Sequence, residues 1–251
     1  MPLIYSNSAD GEVQFQEGPG GGGFSAARDA GTGTAINASQ TQNTSFTAVF
    51  RFGARGGTPP YRIHRSFAFF DTSGVTGTVA SAQFEIVGYS TGASTNGSMI
   101  AVKSTAFGGD GNTALKTIDF DAITGFTTGA SLEGNATKYS TQFVASDGWS
   151  TSGVNVLTGT SDLKTDMQNN NVVIVCFMDY TNDYLNVDPS STTSLQLGGR
   201  YNEASSAGQR LRINYSLAAA GYSNNVIGVA SADIARVNGI ATADIEKIIG
   251  I

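Results

Sequence analysis

Cysteine is almost missing: Cys176 stands alone in 251 residues. A single thiol excludes an intrachain disulfide and any cysteine-rich metal site. Its place in the apolar run "VVIVCFM" makes it a buried packing residue. Histidine is just as scarce. A Ser-His-Asp relay needs an imidazole to take the nucleophile's proton, and the only one is His64, between Arg62 and Arg65 with no nucleophile marked nearby. It reads as structural, held neutral by its cationic neighbours, and no enzyme activity is expected. Charged residues make up only 14% of the chain, against about 25% in ordinary soluble domains. Ser, Thr, Asn and Gly take their place.

The charge that is present is acidic, with a formal net of −6. Nucleic-acid binding depends on a positive surface that displaces counterions. The densest basic stretch, Arg51, Arg55, Arg62 and Arg65, is spread through a loop and the start of a strand, so no nucleic-acid partner is expected. The longest apolar run, residues 172–178, falls far short of the roughly 18 residues that span a bilayer, and no membrane partner is expected. The opening "MPLIYSNSAD" has neither a basic n-region nor an apolar h-region, so a conventional secretion signal is not read. Assembly inside an infected host, followed by lysis, would bring such a protein outside a cell. "EGPGGGGF" (residues 17–24) lacks the lysine and hydroxyl of a phosphate loop and reads as a surface loop.

What the chain has in quantity is strand signal. "SAQFEIVGY" alternates, with Ala82, Phe84 and Ile86 on one face against Gln83 and Glu85. "RLRINYS" sets Leu211, Ile213 and Tyr215 against Arg210, Arg212 and Asn214. "RSFAFF" and "VVIVCFM" are apolar on both faces and read as central strands. "MIAVKST" and "VNVLT" are further candidates. Helical signals are few: "FSAARDAG" for one short turn, and "SDLKTDMQNN", with Ser161 as N-cap and Leu163 and Met167 four apart. Short strands between turn signals predict an all-β fold, a β-sandwich or jelly roll. One core is expected, holding Phe67 or Phe69 with Phe84, Ile86, Ile174, Cys176, Leu211 and Ile213.

Three stretches carry a resemblance: "YRIHRSFAFFDTSGVTGTVASAQFEIVG" (61–88), "WSTSGVNVLTGTSDLKTDMQ" (149–168) and "RLRINYS". In that order they resemble the DNRLRE-type β-sandwich domains, with an Arg-Ser-aromatic strand, an Asp-Thr-Ser turn, a Trp-Ser stretch leading into a short helix, and a closing strand. The resemblance implies a jelly-roll-like sandwich of extracellular and phage virion proteins, sometimes linked to carbohydrate binding. It implies no catalytic residue. Asp71, Thr72 and Ser73 supply an Asx-type turn that ends one strand and redirects the chain. On this reading residues 61–217 form the sandwich core, 1–60 contribute strands and a glycine-rich loop to it, and 218–251 form a separate tail.

Candidate sites remain few. Asp119 and Asp121 in "IDFDA" would share one face of a strand. With Asp110 and Asn112 of "GGDGN" they are candidate calcium ligands, although EF-hand spacing is missing. No cofactor is expected to be needed for folding. Trp149, Tyr180, Tyr184 and Tyr201 lie in loop-rich sequence, two of them near Asn182, Asp183 and Asn186, and are candidate glycan contacts; the alternative is that they fill the core.

The tail nearly repeats itself, "IGVASADIARV" over "NGIATADIEKI", with glycines 228, 239 and 250 in steps of eleven. Ser231 or Thr242 reads as an N-cap, Asp233 or Asp244 as the first-turn acid, and Arg236 or Lys247 as the last-turn base, so each unit predicts about two turns of helix. The repeat is similar to the Asn-Gly-Val-Ala repeats of phage structural proteins. Val229, Ile234, Val237, Ile240, Ile245, Ile248 and Ile251 cannot bury themselves on one another in so short a segment. They predict an assembly surface for other copies of the chain, a trimer by analogy, or for other virion proteins. The expectation is a non-enzymatic structural protein of a tailed bacteriophage virion, either head decoration or tail fibre. A carbohydrate-binding module or adhesin acting on host surface glycans is the alternative.

Overall fold

In the computed structural model, residues 1–53, 57–90, 96–189 and 191–218 are described, with Arg236, Val237, Ile240 and Ala241. The chain divides into two units, Met1–Ser216 and Leu217–Ile251.

The first unit is two antiparallel sheets. In chain order its elements are β1 (Leu3–Tyr5), β2 (Gly11–Gln16), α1 (Phe24–Arg28), β3 (Ala35–Ala38), β4 (Gln42–Arg51), β5 (Tyr61–Asp71), β6 (Val79–Val87), β7 (Ile100–Lys103), β8 (Val154–Thr158), α2 (Ser161–Asn169), β9 (Val172–Met178), β10 (Thr193–Arg200) and β11 (Arg212–Leu217). Among the described residues, one sheet has four strands in the order β1-β11-β6-β8, and the other has seven, built around β5. One long edge of β5 pairs with β2. Its other edge changes neighbour part-way along: β4 takes residues 61–64, and β9 takes residues 66–71, with β7 beyond it.

Side chains of a strand alternate between faces, and β5 and β9 fill both of theirs. Ala68 and Phe70 of β5, with Val173, Val175 and Phe177 of β9, face the four-stranded sheet and meet Phe84, Ile86, Leu157, Leu211 and Ile213. Tyr61, Ile63, Phe67 and Phe69, with Ile174, Cys176 and Met178, point the other way. There they pack under α1, the 3-10 turns at Phe107–Gly109 and Thr117–Asp121, and Leu132 and Tyr184. The single expected core is therefore two. Phe67, Phe69, Ile174 and Cys176 belong to the second, because odd residues of β5 and even residues of β9 cannot reach the side of Phe84.

The sheets meet at a corner where Gly88 bridges Gly199. A Cβ on Gly88 would overlap the Ser150 carbonyl, and one on Gly198 the Tyr89 carbonyl, so this approach of backbones requires glycine. The turn after β5 has the expected Asx form: Asp71 Oδ1 accepts from Ser73 N at 3.0 Å and from Ser73 Oγ at 2.6 Å. Helix α2 buries Leu163 and Met167, but its N-cap is Thr160 and not Ser161, since Thr160 Oγ1 accepts from Leu163 N.

Of the second unit, Arg236–Val237 and Ile240–Ala241 form an antiparallel pair with Val237 opposite Ile240. The expected helix of the first repeat therefore does not extend over Arg236 and Val237. Asn238-Gly239, expected as a helix stop, lies outside the described residues. The assembly residues Val229, Ile234, Ile245, Ile248 and Ile251 lie outside the described residues.

Candidate functional site

Three of the four candidate calcium ligands, Asp110, Asn112 and Asp119, are engaged locally. "IDFDA" is a 3-10 turn, Thr117–Asp121, and not a strand; at three residues per turn, Asp119 and Asp121 point apart. Asp119 Oδ2 accepts from Lys116 N at 2.8 Å, capping that turn. Asp110 accepts from Asn112 N and Nδ2 at 3.0 and 2.8 Å, which holds its carboxyl below the usual range. Burial pushes Asp121 upward, with Arg65 opposing. No group of three or more acidic, histidine or cysteine side chains with metal-site geometry occurs among the described residues.

Three of the four candidate glycan aromatics are core residues. Trp149 is buried against Phe143 and donates Nε1–H to Gly198 O at 3.0 Å, sealing the glycine corner. Tyr201 is fully buried, its hydroxyl 2.8 Å from Ser66 Oγ and its ring beside Phe46. Tyr184 is likewise fully buried, stacked on Tyr180. A buried ring offers no face to a sugar. Tyr180 alone is half-buried.

A surface groove does exist, elsewhere. It encloses about 740 Å³ beside β7 and β9 and is lined by Lys103, Asp110, Asn112, Tyr139, Asn170 and Asn171 among others. A hollow of about 460 Å³ shares Asp110, Asn112 and Val172 with it and reaches Asn7 and Asp71. Its charges are largely spent. Lys103 Nζ lies 2.8 Å from Asp166 Oδ2, the Tyr139 hydroxyl donates to the same oxygen, and Asn170 Nδ2 donates to Oδ1 at 3.0 Å. Burial raises Asp166, but these partners outweigh it and hold the carboxyl below its ordinary value. The groove thus presents amides and hydroxyls with the Asp110 carboxylate at its rim, groups suited to hydrogen-bonding a polar ligand.

Two buried polar networks escaped the sequence reading. On the second core, Arg65 grips Asp183 through Nε at 2.7 Å and Nη2 at 2.6 Å, both side chains fully buried. Arg65 also donates to Phe120 O and Arg28 O and lies 4.1 Å from the centroid of the Phe120 ring. Burial opposes the guanidinium charge, but Asp183 outweighs it and raises the pKa of Arg65. The same strand carries His64, whose Nδ1 lies 3.0 Å from the buried Glu12 carboxylate, so an acid and not an arginine is its partner.

The second network joins the β1–β2 link to the turn after β10. Asp10, fully buried, accepts from Ser6 Oγ at 2.5 Å and from Asn202 N at 3.1 Å, both through Oδ2. Burial raises its pKa to about 8; Ser6 and Asn202 N pull it down, and the neighbouring Glu203 carboxylate pushes it further up. These contacts join residues nearly two hundred positions apart, which no local pattern announces.

No family model matches the chain, and neither does any curated protein.

Proposed function

We propose that this protein is a non-enzymatic structural component of a tailed-bacteriophage virion. Its body is a jelly-roll-like sandwich of the DNRLRE kind, and its tail is the element that joins copies to one another, as a trimer, or to other virion proteins. The observation that carries this reading is the division of the chain at Ser216/Leu217. A self-contained sandwich is followed by a separate unit holding the eleven-residue apolar repeat. Apolar positions that recur in a segment too short to bury them call for a partner surface. The motif residues of the sandwich serve its fold: Arg65 clamps Asp183, Ser66 Oγ donates to Phe46 O, Asp71 makes the Asx turn and Trp149 seals a corner. That use supports a resemblance of architecture and not of chemistry.

Deleting residues 226–251 is the test. The truncated chain is expected to stay soluble and to unfold cooperatively, yet to lose self-association and particle incorporation. Incorporation of the truncated chain at the normal copy number would remove the tail from this role.

A second reading, a carbohydrate-binding module, is favoured by the amide-lined groove. It predicts a glycan-array hit that Asn112→Ala or Asn171→Ala abolishes, while Trp149 and Tyr184, buried as they are, take no part.

A further inference from the structure

The outer edge of β8 is a stretch of backbone left open for pairing. β8 ends the four-stranded sheet and pairs with β6 on one side only. Gly159 N donates to Ala82 O and Gly88 N to Gly153 O, so the odd residues of β8 turn their N–H and C=O toward β6 and the even residues turn theirs away. At the far end Thr158 O accepts from Thr141 N at 2.8 Å, which covers that residue. Val154 and Val156 have no such partner among the described residues. Their side chains stand on the outer face, opposite Val87 and Glu85, and each residue is 45% exposed. Sheet edges are ordinarily guarded by a charge, a proline or a bulge. This one has none of them: the pairing with β6 runs without a register break, and residues 148–161, "GWSTSGVNVLTGTS", hold neither a charged residue nor a proline.

We propose that β8 pairs antiparallel with β8 of a second copy of this chain, about a two-fold axis at Asn155. The open stretch is its own complement. Under that axis Val154 faces the partner's Val156, and the two exchange both of their backbone hydrogen bonds; the mirror pair does the same. The valines of both copies then lie side by side on one continuous outer face. Charge favours a second copy as the occupant. A chain of net charge −6 meets itself here along an uncharged stretch, and the adjacent acid, Glu85, is already bound to Arg212. The lengths also match, because the chain bends at residues 151–153 before it enters β8 and has turned off where the partner's Thr141 covers the partner's Thr158. Asn155 does not obstruct the axis, since its side chain is turned inward and spent on Ser150 and Ile86 O. Such an isologous contact closes on a dimer and joins two four-stranded sheets into one. It involves the sandwich alone and rests on neither the tail nor the groove.

The experiment uses the full chain, with Val154→Cys in one preparation and Val156→Cys in another. Cys176 is buried and does not compete. In the proposed register position 154 and the partner's position 156 have Cα atoms about 5.5 Å apart. Position 154 and the partner's position 154 are offset by two residues along the strands, beyond the disulfide limit of about 7 Å. Mild oxidation of the mixture is expected to give a dimer linked 154 to 156, read by mass spectrometry, and oxidation of either preparation alone to give none. In the parent chain, amide exchange at Val154 and Val156 is expected to slow as protein concentration rises. In Val156→Lys, which supplies the guarding charge, it is expected to stay fast at every concentration. Cross-linking as strong in the separate preparations as in the mixture overturns the proposal, and so does its absence from the mixture. Amide exchange that ignores concentration overturns it as well: if fast, the edge stays open, and if slow, a segment of the same chain covers it. Association through the tail alone would bring copies together without this register, so the two contacts fail separately.

Discussion

Arg65 shows how much one side chain can hold together in this protein. It starts on β5, crosses the second core and meets a carboxylate 118 positions away, with two backbone carbonyls taking two of its three remaining N–H donors. Removing one member of such a pair leaves an uncompensated buried charge, which costs about 3–5 kcal/mol. Asp183→Asn is therefore expected to lower the unfolding free energy by about that amount, measured by urea denaturation. The double variant Arg65→Met/Asp183→Leu should lose less than the sum of its single variants, because the stranded charge is gone. Additive losses would mean that the two side chains do not interact in solution. Cys176 sits beside this pair, and burial raises its thiol well beyond the usual range, so it serves as packing and not as a nucleophile.

At the level of the element, two places convert sequence into measurable energy. The start of α2 rests on Thr160, which both caps Leu163 N and donates to Lys138 O. Thr160→Ala is expected to cost about 1 kcal/mol, while Ser161→Ala stays within about 0.5 kcal/mol; equal losses in chemical denaturation would return the cap to Ser161. On the outer face of the four-stranded sheet, Glu85 links three neighbours. It accepts from Arg212 Nε at 2.6 Å, Asn214 Nδ2 at 2.7 Å and Gln83 Nε2 at 3.0 Å. Burial raises its pKa, but these donors outweigh burial, so the folded value lies below the unfolded one. Such a group contributes stability above its unfolded pKa and loses it as pH falls through the folded value. The Tm gap between the parent chain and Glu85→Gln should accordingly be widest near neutrality and close on acidification below about pH 4. A gap independent of pH would show that packing, and not charge, is lost in the variant.

On the scale of the whole molecule, the sandwich is asymmetric. The central strands of its seven-stranded sheet, β5 and β9, are buried on both faces, whereas the outer face of the four-stranded sheet is partly open, with Val154 and Val156 exposed on β8. This arrangement explains the uneven legibility of the strands. β8 and the alternating parts of β6 and β11 stood out because one face is wet. β5 and β9 stood out as unbroken apolar runs because both faces are covered. β4, "QNTSFTAVFR", and β10, "TSLQLGGR", did not stand out, since threonine, serine, asparagine and glycine interrupt their apolar alternation. Leu197 and Phe46 carry the burial there.

Sequence alone was enough for whatever depends on neighbours along the chain: the period of two in the strands, the Asx turn at Asp71, the helix at residues 161–169 and the all-β class. Each of these is set by backbone sterics and hydrogen bonds within a few residues. Tertiary structure alone decided which face of β5 meets which layer and that Trp149, Tyr184 and Tyr201 are core residues. It also decided that Arg65 finds Asp183 and that Asp10 finds Asn202. Burial and charge pairing depend on what is packed against a side chain, and for Arg65, Asp10 and Tyr201 those partners come from more than a hundred residues away.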